Sequence, residues 1–142
     1  MQISLSDRLS ELLEDKDITI FAFAKQIDVS FSIASQWIRE NTPVKLSNLL
    51  KIASYFNCSV DFICGRSEEL GTFSNSQPTF PKRFVTLMQE SGQTNTKVFN
   101  SLGMNRHALY DWQKGSIPLS TSLIAIADYF DCSIDYLIGI ED

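Results

Sequence analysis

The sequence predicts an all-α chain of two tandem five-helix domains, residues 1–66 and 81–142, joined by a short linker at 67–80. Three observations carry that prediction. The segment Tyr55-Phe56-Asn57-Cys58-Ser59-Val60-Asp61-Phe62-Ile63-Cys64-Gly65 is answered by Tyr129-Phe130-Asp131-Cys132-Ser133-Ile134-Asp135-Tyr136-Leu137-Ile138-Gly139. Upstream at the same offset, Leu49, Ile52 and Ala53 pair with Leu123, Ile126 and Ala127. Arg8, Leu12, Thr19 and Trp37 pair with Arg83, Leu87, Thr94 and Trp112 at an offset one residue longer, so the loop after the tryptophans has gained or lost a residue. Secondly, apolar residues recur at helical spacing in both copies, and no alternating strand pattern competes. Thirdly, Ser and Thr stand where helix N-caps are needed. Two long copies point to two domains, whereas a solenoid needs shorter units in greater number.

In the first copy Leu5, Leu9, Leu12 and Leu13 mark one helix. Thr19 caps a second containing Phe23, Ala24 and Ile27, and Ser30 caps a third from Phe31 to Ile38. Leu46, Leu49, Leu50, Ile52, Ala53 and Phe56 mark the fourth, and Ser59 caps a fifth ending at Gly65. The second copy repeats the plan with Arg83 to Glu90, Asn95 to Leu102, Arg106 to Gln113, Leu119 to Phe130 and Ile134 to Ile138. Trp37 and Trp112 share a helix end and are expected in the core between the third and fourth helices of their copies. Asp61 and Asp135 fall in the first turn of a capped helix, where a negative charge complements the helix dipole. The linker, Ser67 to Phe80, is small and polar with Pro78 near its end. Phe73 and Phe80 are out of character there, and at least one is expected to dock on a neighbouring domain.

Composition sets outer bounds. A hydrophobic content of 44% with 20% charged residues, and ten Phe, four Tyr and two Trp, suits small closed cores. No stretch approaches the roughly 20 apolar residues that span a bilayer, and Asp7, Arg8 and Glu11 interrupt the place where a signal peptide keeps its apolar run. The expectation is a soluble, cytoplasmic protein with no membrane partner. Cys58, Cys64 and Cys132 lack paired metal spacing and read as reduced, mostly buried thiols. His107 is the only histidine, which leaves a His-based metal site or a catalytic triad without partners, and no Gly-rich phosphate loop occurs. No cofactor, no metal and no catalytic residue is expected. Twelve basic against 17 acidic residues, net −5, oppose sequence-blind affinity for nucleic acid but leave room for a local basic face.

A short helix, a tight turn and a second short helix, bracketed by a longer first helix and two more, resembles the lambda-repressor-like (phage-repressor, XRE family) helix-turn-helix domain. Thr94-Asn95-Thr96-Lys97-Val98-Phe99-Asn100-Ser101-Leu102-Gly103-Met104-Asn105-Arg106-His107-Ala108-Leu109-Tyr110-Asp111-Trp112-Gln113-Lys114-Gly115 is similar to the family's Thr-Gln-x-x-Leu-Ala-x-x-Leu-Gly-Val-Ser … Trp-x-x-Gly core. Ser133–Gly139 and Ser59–Gly65 are similar to its Ser-Val-Asp-Tyr-Leu-Leu-Gly ending. The turn residues Asp28 and Gly103 are expected in the left-handed conformation, with Val29 and Met104 wedged between the two helices. The first copy departs from the family at Ile20, where glutamine is usual, and at Asp28, where glycine is usual.

The resemblance implies which residues face DNA. Base-facing positions fall on Phe31, Ser32 and Gln36 in the first copy and on Arg106, His107 and Asp111 in the second, with Ser30 and Asn105 as caps. Arg106 can fork onto guanine, His107 can donate to a base or phosphate, Gln36 can read adenine and Phe31 can contact a thymine methyl. Asn95 can hold the backbone, Lys97 and Lys114 flank the second motif, and Lys25, Arg39 and Lys45 are the cations near the first. Asp111 opposes phosphate unless it accepts from a cytosine amine. The implied function is a sequence-specific double-stranded-DNA-binding transcriptional regulator, with a homodimer left open. The alternative is an interaction protein, such as an antitoxin, antirepressor or inhibitor, that keeps the fold and grips a protein through Phe21 and Phe31 on the first domain.

Overall fold

The computed structural model describes residues 3–73, 80–105, 107–114 and 118–139. The chain divides into two compact units, Met1–Phe73 and Ser74–Asp142. Every assigned element among the described residues is a helix. In the first unit these are α1 (Leu5–Lys16), α2 (Ile20–Gln26), α3 (Phe31–Arg39), α4 (Leu46–Phe56) and α5 (Val60–Ile63). In the second they are α6 (Phe80–Ser91), α7 (Asn95–Leu102), α8 (His107–Gln113), α9 (Ser120–Phe130) and α10 (Ile134–Leu137).

Local chemistry sets most of these boundaries. The hydroxyls of Ser4, Thr19, Ser30 and Ser59 accept from the amides of Asp7, Ala22, Ile33 and Phe62, satisfying donors that have no partner inside the helix. α1, α4 and α9 end on Asp17, Asn57 and Asp131, each with positive φ, the residue types that tolerate a left-handed cap best after glycine.

In the first unit α1 packs against α3 and α5, α2 against α3, and α4 against α5. Leu9, Phe23, Ala34, Leu49, Ile52 and Ile63 are fully buried between them, and the Phe23 ring lies 5.7 Å from Phe56. In the second unit α6 packs against α8 and α10, and α9 against α7 and α10. Trp112 sits edge-on to Phe80 at 4.9 Å and Phe84 at 5.3 Å, with Phe99 at 6.1 Å. The tryptophans are therefore core residues, but the rings around Trp112 come from α6 and α7, not from the fourth helix of its unit. The Arg8 guanidinium lies 4.0 Å over the Phe62 ring, and Arg83 lies 4.2 Å over Tyr136, so the two units share an arginine-on-aromatic contact at matching positions.

Residues 67–73 of the segment expected as linker are bonded to the first unit. Arg8 donates to the Ser67 carbonyl at 3.1 Å, the Ser59 amide donates to the Leu70 carbonyl at 2.9 Å, and the Phe73 amide donates to Asn57 Oδ1 at 3.4 Å. These bonds hold 67–73 on the first unit. At the other end Phe80 is the first residue of α6 and is 3% exposed, so α6 begins three residues before the expected Arg83. Pro81 in the first turn is no obstacle, since its missing amide would have had no partner there. Residues 74–79 lie outside the described residues. Cys58 and Cys64 are buried and Cys132 is half-buried.

Candidate nucleic-acid interface

α2 and α3 are joined by a tight turn. The Val29 amide donates to the Ala24 carbonyl at 3.0 Å, and Asp28 takes φ 60°, the left-handed conformation expected of it. Val29 is half-buried behind the turn. Ser30 then caps α3 through Ile33, which makes Phe31 the first helical residue. Ala34 and Trp37 face the core, at 0% and 3% exposure. That rotation leaves Phe31, Ser32 and Gln36 exposed. Lys25 on α2, Arg39 at the end of α3 and Lys45 are exposed too. Lys45 is the N-cap of α4 and makes no side-chain cap bond, so a cation stands at the end of a helix whose dipole and open amides favour an anion.

α7 and α8 repeat this turn. Thr94 accepts from the Lys97 amide at 3.2 Å, Gly103 takes φ 70°, the Met104 amide donates to the Phe99 carbonyl at 2.9 Å, and Met104 is half-buried. Asn105 Oδ1 accepts from the His107 amide at 2.8 Å, the capping role expected of it. Asn95, Asn105 and His107 line one open pocket of about 650 Å³ together with Tyr110. Three of the expected residues thus meet in one place. Asp111, Lys97 and Lys114 are exposed nearby in the chain, with Lys114 Nζ 5.1 Å over the Tyr110 ring. Arg106 lies outside the described residues.

Two aromatic residues gain weight from the structure. Tyr110 is 57% exposed and had not been singled out by sequence. Its signal was its position one turn after His107, on the same helical face. Phe21 is 64% exposed, and its ring centroid lies 6.3 Å from that of Phe31, itself 43% exposed. The Arg39 guanidinium stands 5.9 Å from the Phe31 ring. The first unit thus brings two apolar rings and a cation together.

Among the described residues no cluster of His, Cys, Asp or Glu could hold a metal ion, and no helix is long and apolar enough to cross a membrane. Asp61, in the first turn of α5, is 7% exposed and pairs with Arg66. That gives it a structural role. No curated protein and no solved structure matches the chain. Residues 8–68 match the family model of the Cro/C1-type HTH DNA-binding domain, so the first unit contains one such helix-turn-helix domain, and the match supports a DNA-binding regulator.

Proposed function

We propose that the chain is a sequence-specific transcriptional regulator of the phage-repressor type that reads two half-sites of double-stranded DNA with tandem helix-turn-helix units. The observation that carries this is the recurrence, in the second unit, of the capped turn that the first unit builds inside its family match. Thr94, Gly103 and Asn105 stand where Thr19, Asp28 and Ser30 stand. In this reading Phe31, Ser32 and Gln36 face one set of bases, and Arg106, His107 and Asp111 face another. Lys45, Arg39, Asn95 and Lys114 hold phosphates. Because the two helices carry different side chains, the preferred site is asymmetric.

A second reading, a protein-interaction module that keeps the fold, draws on the exposed Phe21 and Phe31 rings and the net charge of −5. The two are separated by selecting from a random duplex pool at two salt concentrations, with the intact chain beside Gln36→Ala and Arg106→Ala. Enrichment of an asymmetric motif, weakened by salt and relaxed at different positions by the two substitutions, is the expected result. No enrichment at low salt overturns the DNA reading and favours the protein partner. A perfect palindrome bound by a single chain overturns the two-reader arrangement.

A further inference from the structure

Phe31 stands at the first helical position of α3, where a DNA reader presents a side chain to base edges, yet a phenylalanine ring can neither donate nor accept a hydrogen bond there. The apolar feature of the major groove that matches such a ring is the C5-methyl group, which thymine and 5-methylcytosine carry and which uracil and cytosine lack. Phe31 does not act as an isolated ring. Phe21, projecting from the first turn of α2, brings a second ring to 6.3 Å at an interplanar angle of 45°, and Arg39 brings its guanidinium to 5.9 Å of Phe31. The two rings remain 64% and 43% exposed, so each leaves apolar surface open to a ligand.

Ser32 and Gln36, both exposed, lie on the same helix as Phe31. A surface of this composition suits a patch of a base-pair ladder where a methyl projects beside a hydrogen-bonding edge, with a phosphate close enough for Arg39. We propose that the first unit reads the C5-methyl group of a pyrimidine through the paired rings of Phe21 and Phe31. This rests on the DNA-reading proposal above. Phe21 widens the apolar surface and limits the positions the Phe31 ring can take, so the methyl meets two ring edges and not one mobile side chain.

The test uses the intact chain and the duplex it selects from the random pool. The half-site of the first unit is located as the positions whose specificity Gln36→Ala relaxes. Thymines in it are then replaced one at a time by uracil, which removes the methyl and leaves every hydrogen-bonding group. At one or two positions binding is expected to weaken by about fourfold or more, the effect of uncovering a methyl-sized apolar group. Phe21→Ser and Phe31→Ser are expected to weaken binding to the thymine duplex and to abolish the difference between thymine and uracil. A 5-methylcytosine at the sensitive position should bind more tightly than cytosine there. Both rings are exposed, so the variants are expected to keep the helical circular-dichroism signal; were one to unfold, the uracil comparison on the unchanged chain still decides. Equal affinity for thymine and uracil throughout this half-site, with the Gln36→Ala effect intact, overturns methyl reading and leaves DNA reading standing. Phe21→Ser and Phe31→Ser that bind DNA like the parent chain overturn it as well and assign the rings to a protein partner. If no duplex is selected at all, both proposals fall together.

Discussion

At Gly65 the first unit depends on a missing side chain. Its φ is 76°, and a Cβ there would stand 1.9 Å from the carbonyl oxygen of Ile3. Both the backbone angle and a backbone collision oppose any larger residue, and neither can be relieved by rotating a side chain. Gly65→Ala should therefore cost about 3 kcal/mol or more, read as a lower urea midpoint. Asp28 is the opposite case, a side chain in the left-handed conformation, with φ 60°, where the second unit uses Gly103 with φ 70° and open space around it. Asp28→Gly should raise stability by about 0.5–1 kcal/mol; a loss would mean that the carboxylate stabilises the turn. These residues differ in how far they could be read from sequence. The left-handed turn at Asp28 and Gly103 is a local preference and was legible. The collision between Gly65 and Ile3 joins the two ends of the unit, and nothing in the local pattern announces it. Phe21 and Phe31 were expected to be exposed on one face; that their rings approach to 6.3 Å depends on how α2 crosses α3 and was not legible.

The helices themselves were legible because their caps are local. Thr19, Ser30 and Ser59 cap the helices expected of them, Thr94 caps α7 in the same way, and the expected span Asn95 to Leu102 is that of α7. The start of α6 was not legible, because Phe80 reads as the last linker residue and Pro81 as a residue before the helix, until the ring of Phe80 is seen against Trp112. In α4 stability and the proposed binding role compete. Its N-cap is Lys45, which cannot accept from the open amides and places a positive charge at the positive end of the helix dipole. Lys45→Asp supplies both an acceptor and the favourable charge, and should stabilise the first unit by about 1 kcal/mol. In the proposed function the same change removes a phosphate contact and adds repulsion. Affinity for the selected duplex should fall by tenfold or so at physiological salt, with a shallower dependence on salt concentration. Thermal melting and a salt titration of binding check the two halves separately. A stabilised variant that binds as well as the parent chain would remove Lys45 from the interface.

At the scale of the whole chain, the quantity that matters is how much backbone is left to join the units. A linker of residues 67–80 would reach about 46–50 Å when extended, but Ser67, Leu70 and Phe73 are hydrogen-bonded into the first unit and Phe80 is buried in the second. From Phe73 to Phe80 the chain reaches at most roughly 23–25 Å. The repeat in the sequence pointed to two units; it could not reveal this, because Ser67–Phe73 looks like any small polar stretch until its partners at Arg8, Asn57 and Ser59 are known. In the proposed function a short tether raises the effective concentration of the second reader and restricts which half-site spacings can be bridged. Inserting a flexible Gly-Ser segment of about ten residues between Ser76 and Gln77 should leave the affinity of each unit for its own half-site unchanged. It should also broaden the spacings that bind and weaken binding at the best spacing by several-fold, as the effective concentration falls with tether length. Binding measured across duplexes of graded spacing gives the profile. A profile unchanged by the insertion would mean that the units engage DNA independently, or that one of them does not engage it at all.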